Sequence, residues 1–219
     1  MNKEKESLFS AKNRKLVTDP LSIQNPITVQ VLGICSALAV TAKMEPAIVM
    51  GLSVTFVAVF ANLTLSLLRN TIPNRIRIIV QLVIVSVLVI MVDQVLKAYA
   101  YNVSLMLSVF VGLIITNCII MGRIEAFALS NKPWESVLDG LGNGLGYAAI
   151  LIIVAFFREL LGSGTLTLPI LGEIHVIPQA FYDFGYVNNG FIILPPMALI
   201  VLGIVIWIHR ARNKSLIEQ

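Results

Sequence analysis

Two cysteines, Cys35 and Cys118, are the side chains in this sequence best suited to chemistry. They are the only cysteines, and each lies in an apolar stretch beside polar residues: Ser36 follows the first, and Thr116 and Asn117 precede the second. Polar groups in hydrocarbon are costly and often mark function, and thiolates favour zinc and iron–sulfur centres. Because clusters generally take four cysteines, a metal site here requires two further ligands from a neighbouring subunit.

Two simpler interpretations of the cysteine pair remain open. A thiol in an apolar segment often packs as a small hydrophobic side chain, and two thiols could also form one disulfide. If the cysteines are incidental, the chain could be a stand-alone secondary transporter or a structural scaffold within a larger complex.

The composition is that of an integral membrane protein. Hydrophobic residues make up 57% of the 219 residues and charged residues only 13%, whereas soluble domains average about 25% charged. Mean hydropathy is +0.87, and the basic pI of about 9.2 comes from Lys and Arg at membrane edges, which argues against nucleic-acid binding. The first 18 residues are polar and predict no secretory signal.

Six apolar stretches predict six transmembrane helices, because a helix satisfies its own backbone groups in hydrocarbon. A plain helix over the first stretch would rise only about 24 Å, against about 30 Å of hydrocarbon, and Gly33 interrupts it. We therefore expect a short or broken first helix. The predicted membrane domain covers residues 25–210, between an N-terminal segment (1–24) and a tail (211–219), and its spans are 27–42, 46–68, 78–96, 103–122, 140–157 and 190–208.

Basic residues predict the orientation. Six spans place both termini on one side, and that side holds thirteen of the 16 Lys and Arg residues. Because cytoplasmic loops carry the excess of Lys and Arg, both termini are expected in the cytoplasm. The loop 161–189, which has no Lys or Arg, is then expected on the outer side.

The two halves of the chain follow the same order. In each half a cysteine is followed by a basic residue, one further residue and a glutamate, then an apolar span and an arginine. With three spans each, the repeats (about 25–98 and 103–210) are inverted in the membrane, an arrangement that builds sites near the midplane from broken helices. Cys35 lies nine residues after Pro26, whereas Cys118 lies fifteen after Val103. Either the fourth span begins later, or Asn117 marks a break.

The other polar residues favour structural roles. Asp93 precedes Lys97 by four residues, which favours an ion pair on one helix face over an ion-binding carboxylate. Polar side chains of the second span could line a hydrated path but more simply join helices; they are Thr55, Asn62, Thr64 and Ser66.

The remaining motifs predict no catalytic side chains in this chain. Gly142 and Gly146 lie in a glycine-rich run that does not match a nucleotide-binding loop, and their spacing favours tight helix packing. His175 and His209 lie at opposite membrane edges in the predicted topology. No nucleophile–base pair is recognisable.

Several segments resemble the D-subunit family of the bacterial sodium-translocating NADH:quinone oxidoreductase. The resemblance covers nearly the whole chain from about residue 20, including both cysteines, and the related Rnf complex has a sister subunit. The segments 34–37 and 107–110 look closer to the sodium-pump version. The segments that carry the resemblance are 25–26, 31–41, 67–73, 92–94, 107–119, 122–127 and 156–164.

The resemblance implies a function and a ligand set. In this family, the D and E subunits are homologous, pack as an inverted pair, and each supplies two cysteines to a 2Fe–2S cluster in the inner membrane. Carried onto this chain, the ligands are Cys35 and Cys118, shared with the E subunit. The complex, with A, B, C, E and F subunits besides this one, would pass electrons from NADH through FAD and another 2Fe–2S centre on the F subunit, then FMN on the C and B subunits, and riboflavin, to ubiquinone, while exporting Na⁺. A ferredoxin:NAD oxidoreductase of the Rnf type is the alternative.

Overall fold

The fold is a bundle of helices with one short hairpin. The computed structural model describes residues 11–21, 24–73, 75–99, 111–168, 172–175 and 190–212. In chain order the elements are α1 (Ala11–Thr18), a 3-10 helix (Asp19–Leu21), α2 (Ile34–Val40), α3 (Met44–Leu68), α4 (Arg77–Tyr99), α5 (Val111–Ile115), α6 (Cys118–Arg123), a π-helix (Ile124–Ala128), α7 (Pro133–Gly162), β1 (Thr165–Leu168), β2 (Gly172–His175), a second 3-10 helix (Gly190–Ile193) and α8 (Pro195–Arg212).

Four helices among the described residues are long and apolar enough to cross a membrane. They correspond to the second, third, fifth and sixth predicted spans, which confirms a multi-pass membrane protein. The main difference in bounds is at α7, which begins at Pro133, seven residues before the predicted start. Its first turns carry Glu135 and Asp139, both buried, and charge at these positions made the sequence look like a loop.

The first and fourth predicted spans are not continuous helices. Residues 26–30 form turns, and α2 begins only at Ile34, which confirms the broken first helix. In the fourth span, α5 ends at Ile115 and α6 begins at Cys118, so Thr116 and Asn117 form a break. A break at Asn117 is one of the two explanations that the sequence left open for the unequal positions of the cysteines. The part of this span at 103–110 lies outside the described residues.

The centre of the bundle is the antiparallel pair of α3 and α7. A Cβ added at Gly144 would lie 2.7 Å from the Cα of Thr55, and one at Gly51 would lie 2.8 Å from the Cβ of Ala148. Residue numbers at the contact therefore increase along α3 while they decrease along α7, which makes the two helices antiparallel. Glycine and alanine let the two backbones approach closely, as is usual for helix pairs in membranes.

The glycine-rich run also packs on the N-terminal segment. A Cβ at Gly142 would lie 2.6 Å from the carbonyl oxygen of Leu16, and one at Gly146 would lie 2.5 Å from that of Pro20. The prediction of a tight packing face is confirmed. Its partners are α1 and the 3-10 helix that follows it, rather than another long helix.

The outer helices expose apolar side chains. In the most apolar 18-residue stretch of each helix, only 17% of α4 and 11% of α8 is buried. Large hydrophobic residues such as Ile79, Met91 and Trp207 are exposed. In a membrane such surfaces face lipid or other subunits. The antiparallel hairpin of β1 and β2 is the one departure from an all-helical fold among the described residues.

Candidate metal-ligand site

Each cysteine lies at the start of a short helix, directly after a break in the helical structure of its span. Cys35 is the second residue of α2, and Cys118 is the first residue of α6. Both are free thiols, and both are exposed on this chain. The cysteines are therefore neither joined in a disulfide nor packed inside the chain as small hydrophobic side chains, and both sulfurs are available to a neighbouring molecule.

A hydrogen bond from a backbone amide to a cysteine sulfur joins the two breaks. The amide N–H of Gly33 donates to the Sγ of Cys118 at 2.9 Å, across 85 residues of sequence. Gly33 adopts φ +76°, a left-handed conformation that glycine reaches without the steric cost other residues meet. A Cβ there would lie 2.5 Å from Cδ1 of Ile119, the residue after Cys118. Glycine at this position lets the first break contact the second.

A buried polar network lies behind the cysteines. The hydroxyl groups of Ser36 and Tyr147 are 2.7 Å apart, and Ser36 also donates to the carbonyl of Gly33 at 3.0 Å. The Asn117 side chain accepts from the amide of Ile119, which caps α6, while its Nδ2 lies 3.5 Å from the Ser36 hydroxyl. The network therefore joins α2, α6 and α7.

The described residues do not form a complete metal site. Among them, no group of three or more His, Cys, Asp or Glu side chains is placed to hold a metal ion. The donor set at the two breaks nevertheless suits a sulfur-bound metal, because two exposed cysteines lie at helix breaks that contact each other and a backbone amide already donates to one of their sulfurs. Any such centre needs ligands beyond the described residues.

Some of the polar residues expected to have structural roles form the predicted contacts, namely Asp93, Asn62 and Ser66. Lys97 and Asp93 form the predicted ion pair at 2.5 Å. Asn62 donates to the carbonyl of Ser136 at 3.2 Å, and Ser66 donates to that of Asn131 at 2.9 Å, so both join α3 to the α7 region. Thr55 and Thr64 instead donate to carbonyls of their own helix. His175 lies in β2 and His209 in the last turn of α8.

Besides Glu135, α7 buries three charged residues whose contacts were not identified from the sequence: Asp139, Arg158 and Glu159. Arg123 of α6 pairs with Asp139, which is 2% exposed. Arg158 donates to the hydroxyl of Thr41 and to the carbonyls of residues 192–194. Glu159 accepts from the amide of Met44 at 2.7 Å and from that of Thr167 at 2.8 Å. The signal was charge inside a long apolar helix, but each residue lay near the predicted end of a span.

Comparison with known proteins identifies one family and several similar relatives within it. A family described as "Rnf-Nqr subunit, membrane protein" matches residues 13–206. Three relatives are named as the D subunit of a Na(+)-translocating NADH-quinone reductase. The relative from Aeromonas salmonicida is 54% identical over 94% of this chain and 95% of its own length. That from Pasteurella multocida is 54% identical over 95% and 98%, and that from Yersinia pestis is 52% identical over 94% and 96%.

Proposed function

The chain belongs to the Rnf-Nqr family of membrane subunits, and from this premise we propose that it is the D subunit of a sodium-translocating NADH:quinone oxidoreductase. In this role Cys35 and Cys118 supply two of the four ligands of a 2Fe–2S cluster within the bilayer. The relatives named as D subunits match nearly their full lengths, which supports the assignment to the sodium pump over a ferredoxin:NAD oxidoreductase of the Rnf type.

The observation that carries the proposal is that both cysteines are exposed at helix breaks that contact each other. A cysteine kept only for packing would be buried among apolar neighbours, whereas both of these cysteines are exposed on this chain. The Gly33 amide donates to one of them, and hydrogen bonds to ligand sulfurs are one of the means by which proteins set cluster potentials.

The bound cluster supplies a one-electron site in a region of hydrocarbon that would otherwise insulate electrons. This chain's residues contribute ligands, a hydrogen bond to one sulfur and an apolar surround. The helices α3 and α7 bury a continuous apolar core beside the site, which keeps water away from one side of it. Low polarity and limited solvent access both affect the potential of such centres.

The second half of the ligand set requires a homologous partner. Two exposed thiols at the surface of one chain are complemented by two like-placed thiols on another. The E subunit is the partner proposed here, within a complex that also contains the A, B, C and F subunits. The apolar faces of α4 and α8 are suited to contacts with these subunits and with lipid.

An inverted duplication explains several contacts together. The central helices of the two proposed repeats, α3 and α7, run antiparallel. Their arginines act reciprocally: Arg69, directly after α3, donates to the carbonyl of Asn131, just before α7, and Arg158 of α7 donates to Thr41, just before α3. An axis between the repeats would relate these contacts and bring the two cysteine-bearing breaks together. Both termini are proposed to lie in the cytoplasm of a bacterial inner membrane.

Measuring flavin reduction distinguishes an electron-transfer role of this chain from a purely structural one. In the purified complex with Cys118→Ala, we expect NADH to reduce the FAD of the F subunit at the unmodified rate. The FMN groups and quinone should stay oxidised, because the relay is broken between them. Stopped-flow absorbance measures both steps, and Thr116→Val, which alters the residue two positions before Cys118, is the control.

Continued reduction of FMN and quinone in Cys118→Ala would contradict the relay and favour the scaffold. The transporter alternative predicts something different: the chain alone, in sealed vesicles without NADH, would move a solute across the membrane.

A further inference from the structure

Tyr147 and Ser36 lie behind Cys118 and reach its sulfur through the backbone of one residue, Gly33. Tyr147 is fully buried in α7 (0% exposed) and Ser36 is 3% exposed in α2. From Tyr147 the chain of hydrogen bonds runs to the Ser36 hydroxyl, then to the Gly33 carbonyl, and from the Gly33 amide to the Sγ of Cys118. No step of this chain involves an exposed group except the sulfur itself.

The direction of these hydrogen bonds follows from counting protons. A serine hydroxyl has one proton and two lone pairs. The Ser36 proton is directed to the Gly33 carbonyl, and the Asn117 amide nitrogen can only donate, so it uses one lone pair of Ser36. The remaining lone pair accepts the proton of Tyr147. Tyr147 therefore donates to Ser36, and this hydrogen bond helps to hold the Ser36 hydroxyl in place.

The position of Ser36 in turn fixes the orientation of the Gly33 amide. The Gly33 carbonyl accepts from both the Ser36 hydroxyl and the amide of Ala37 at 3.1 Å, which holds this residue in its left-handed conformation at the start of α2. The N–H of Gly33 belongs to the preceding peptide unit, and with the backbone of Gly33 held at this φ it is directed at Cys118. Among the described residues, no comparable hydrogen bond reaches the sulfur of Cys35.

We propose that Tyr147 and Ser36 are positioning residues that hold the Gly33 amide on the sulfur of Cys118 and thereby raise the reduction potential of the centre bound there. The inference rests on the proposed function, since it concerns a sulfur that ligates a cluster. The physical reason is electrostatic: an N–H donor places positive charge beside the sulfur, which stabilises the cluster more after it gains an electron. Releasing the amide lowers the potential.

The test is a redox titration of the intact complex, followed by electron paramagnetic resonance of the reduced centre. Tyr147→Phe removes one hydroxyl and keeps the ring, and Ser36→Ala breaks the network at its middle. Both variants are expected to retain iron, to shift the midpoint potential to more negative values and to change the g values. The control is Thr116→Val, two residues before Cys118: among the described residues the Thr116 hydroxyl bonds only to the carbonyl of Gly112, so its loss should leave both quantities unchanged.

Three results would overturn the inference. The first is a potential and spectrum unchanged in both variants. The second is an equal shift in Thr116→Val. The third is loss of assembly in both variants while Thr116→Val assembles, because the network would then hold the fold rather than the sulfur. Cys118→Ala separates this inference from the proposed function. If that variant keeps the iron of the centre, the proposed function fails; if it loses the iron and Tyr147→Phe has no effect on the potential, only the positioning role fails.

Discussion

At the scale of single residues, the site depends on Gly33, which lies two residues before Cys35 and contacts the distant Cys118. The left-handed backbone of Gly33 lets its amide reach Cys118, and its missing side chain leaves room for Ile119. Any other residue type meets both a conformational cost and a collision at this position. Gly33 is therefore as much a part of the candidate site as the thiols.

Replacing Gly33 with alanine should weaken the site. The left-handed conformation costs a non-glycine residue about 1–2 kcal/mol, and the new Cβ would lie 2.5 Å from Cδ1 of Ile119. We expect less iron per complex and faster alkylation of Cys118 in the Gly33→Ala complex. Gly112→Ala is the matched control, since a Cβ there meets no atom within 4 Å.

The double variant Gly33→Ala/Ile119→Ala tells the two causes apart. Recovery of iron in the double variant would identify the collision as the cause, whereas continued loss would identify the backbone conformation. Iron content in Gly33→Ala equal to that in Gly112→Ala would contradict the importance of this position.

The sequence identified the two cysteines but not the network behind them. Cys35 and Cys118 are the only residues of their type and lie at matching positions of a repeat, so their chemistry was recognisable without coordinates. Tyr147 was missed because an aromatic residue in an apolar helix is usually a packing residue, and its partner Ser36 is 111 residues away in sequence. Contacts over such separations depend on how helices cross, which local patterns do not specify.

At the scale of elements, breaks and close helix contacts decide the architecture. The first break was predictable from Pro26 and Gly33. The second was only one of two explanations for a depth mismatch, because Thr116 and Asn117 are not strong helix breakers. The early start of α7 was missed since Asp139 is charged. Its pairing with Arg123 allows it to be buried, and this partner could not be assigned from the sequence.

The contact between α3 and α7 should tolerate no added methyl group. In Gly144→Ala the new Cβ would lie 2.7–2.8 Å from three atoms of Thr55, one of them backbone, so the helices must move apart. Overpacking of this kind costs about 1–3 kcal/mol, and we expect a lower unfolding midpoint in detergent. Gly203→Ala in α8 is the matched control, because a Cβ there meets nothing within 4 Å. Equal midpoints for the two variants would refute the tight contact.

At the scale of the whole molecule, the chain has the properties of half an assembly. About half of the apolar stretch of each central helix is buried (50% in α3 and 56% in α7), the outer helices expose most of theirs, and both cysteines are exposed. The composition and span pattern were sufficient to predict a multi-pass membrane protein. The repeat order suggested an inverted duplication, which the antiparallel contact of α3 and α7 supports. No pattern in one chain specifies the surface of its partner.

The proposed orientation can be tested with reporters at chain ends and in the long loop. We expect a reporter fused after Gln219 to be active only if it works in the cytoplasm. An alkaline phosphatase inserted within residues 176–189, which are predicted to lie on the outer side, should be active, since that enzyme requires export. The reason is the distribution of Lys and Arg, which favours the cytoplasmic side. Activity of the phosphatase at the C-terminus would reverse the orientation.

The iron content of the purified complex tests the central claim most directly. We expect the Cys35→Ala/Cys118→Ala complex to contain two fewer iron atoms than the unmodified complex, with the same flavin content and the same subunits. A double variant that keeps the full iron content would contradict the assignment of these two sulfurs as cluster ligands.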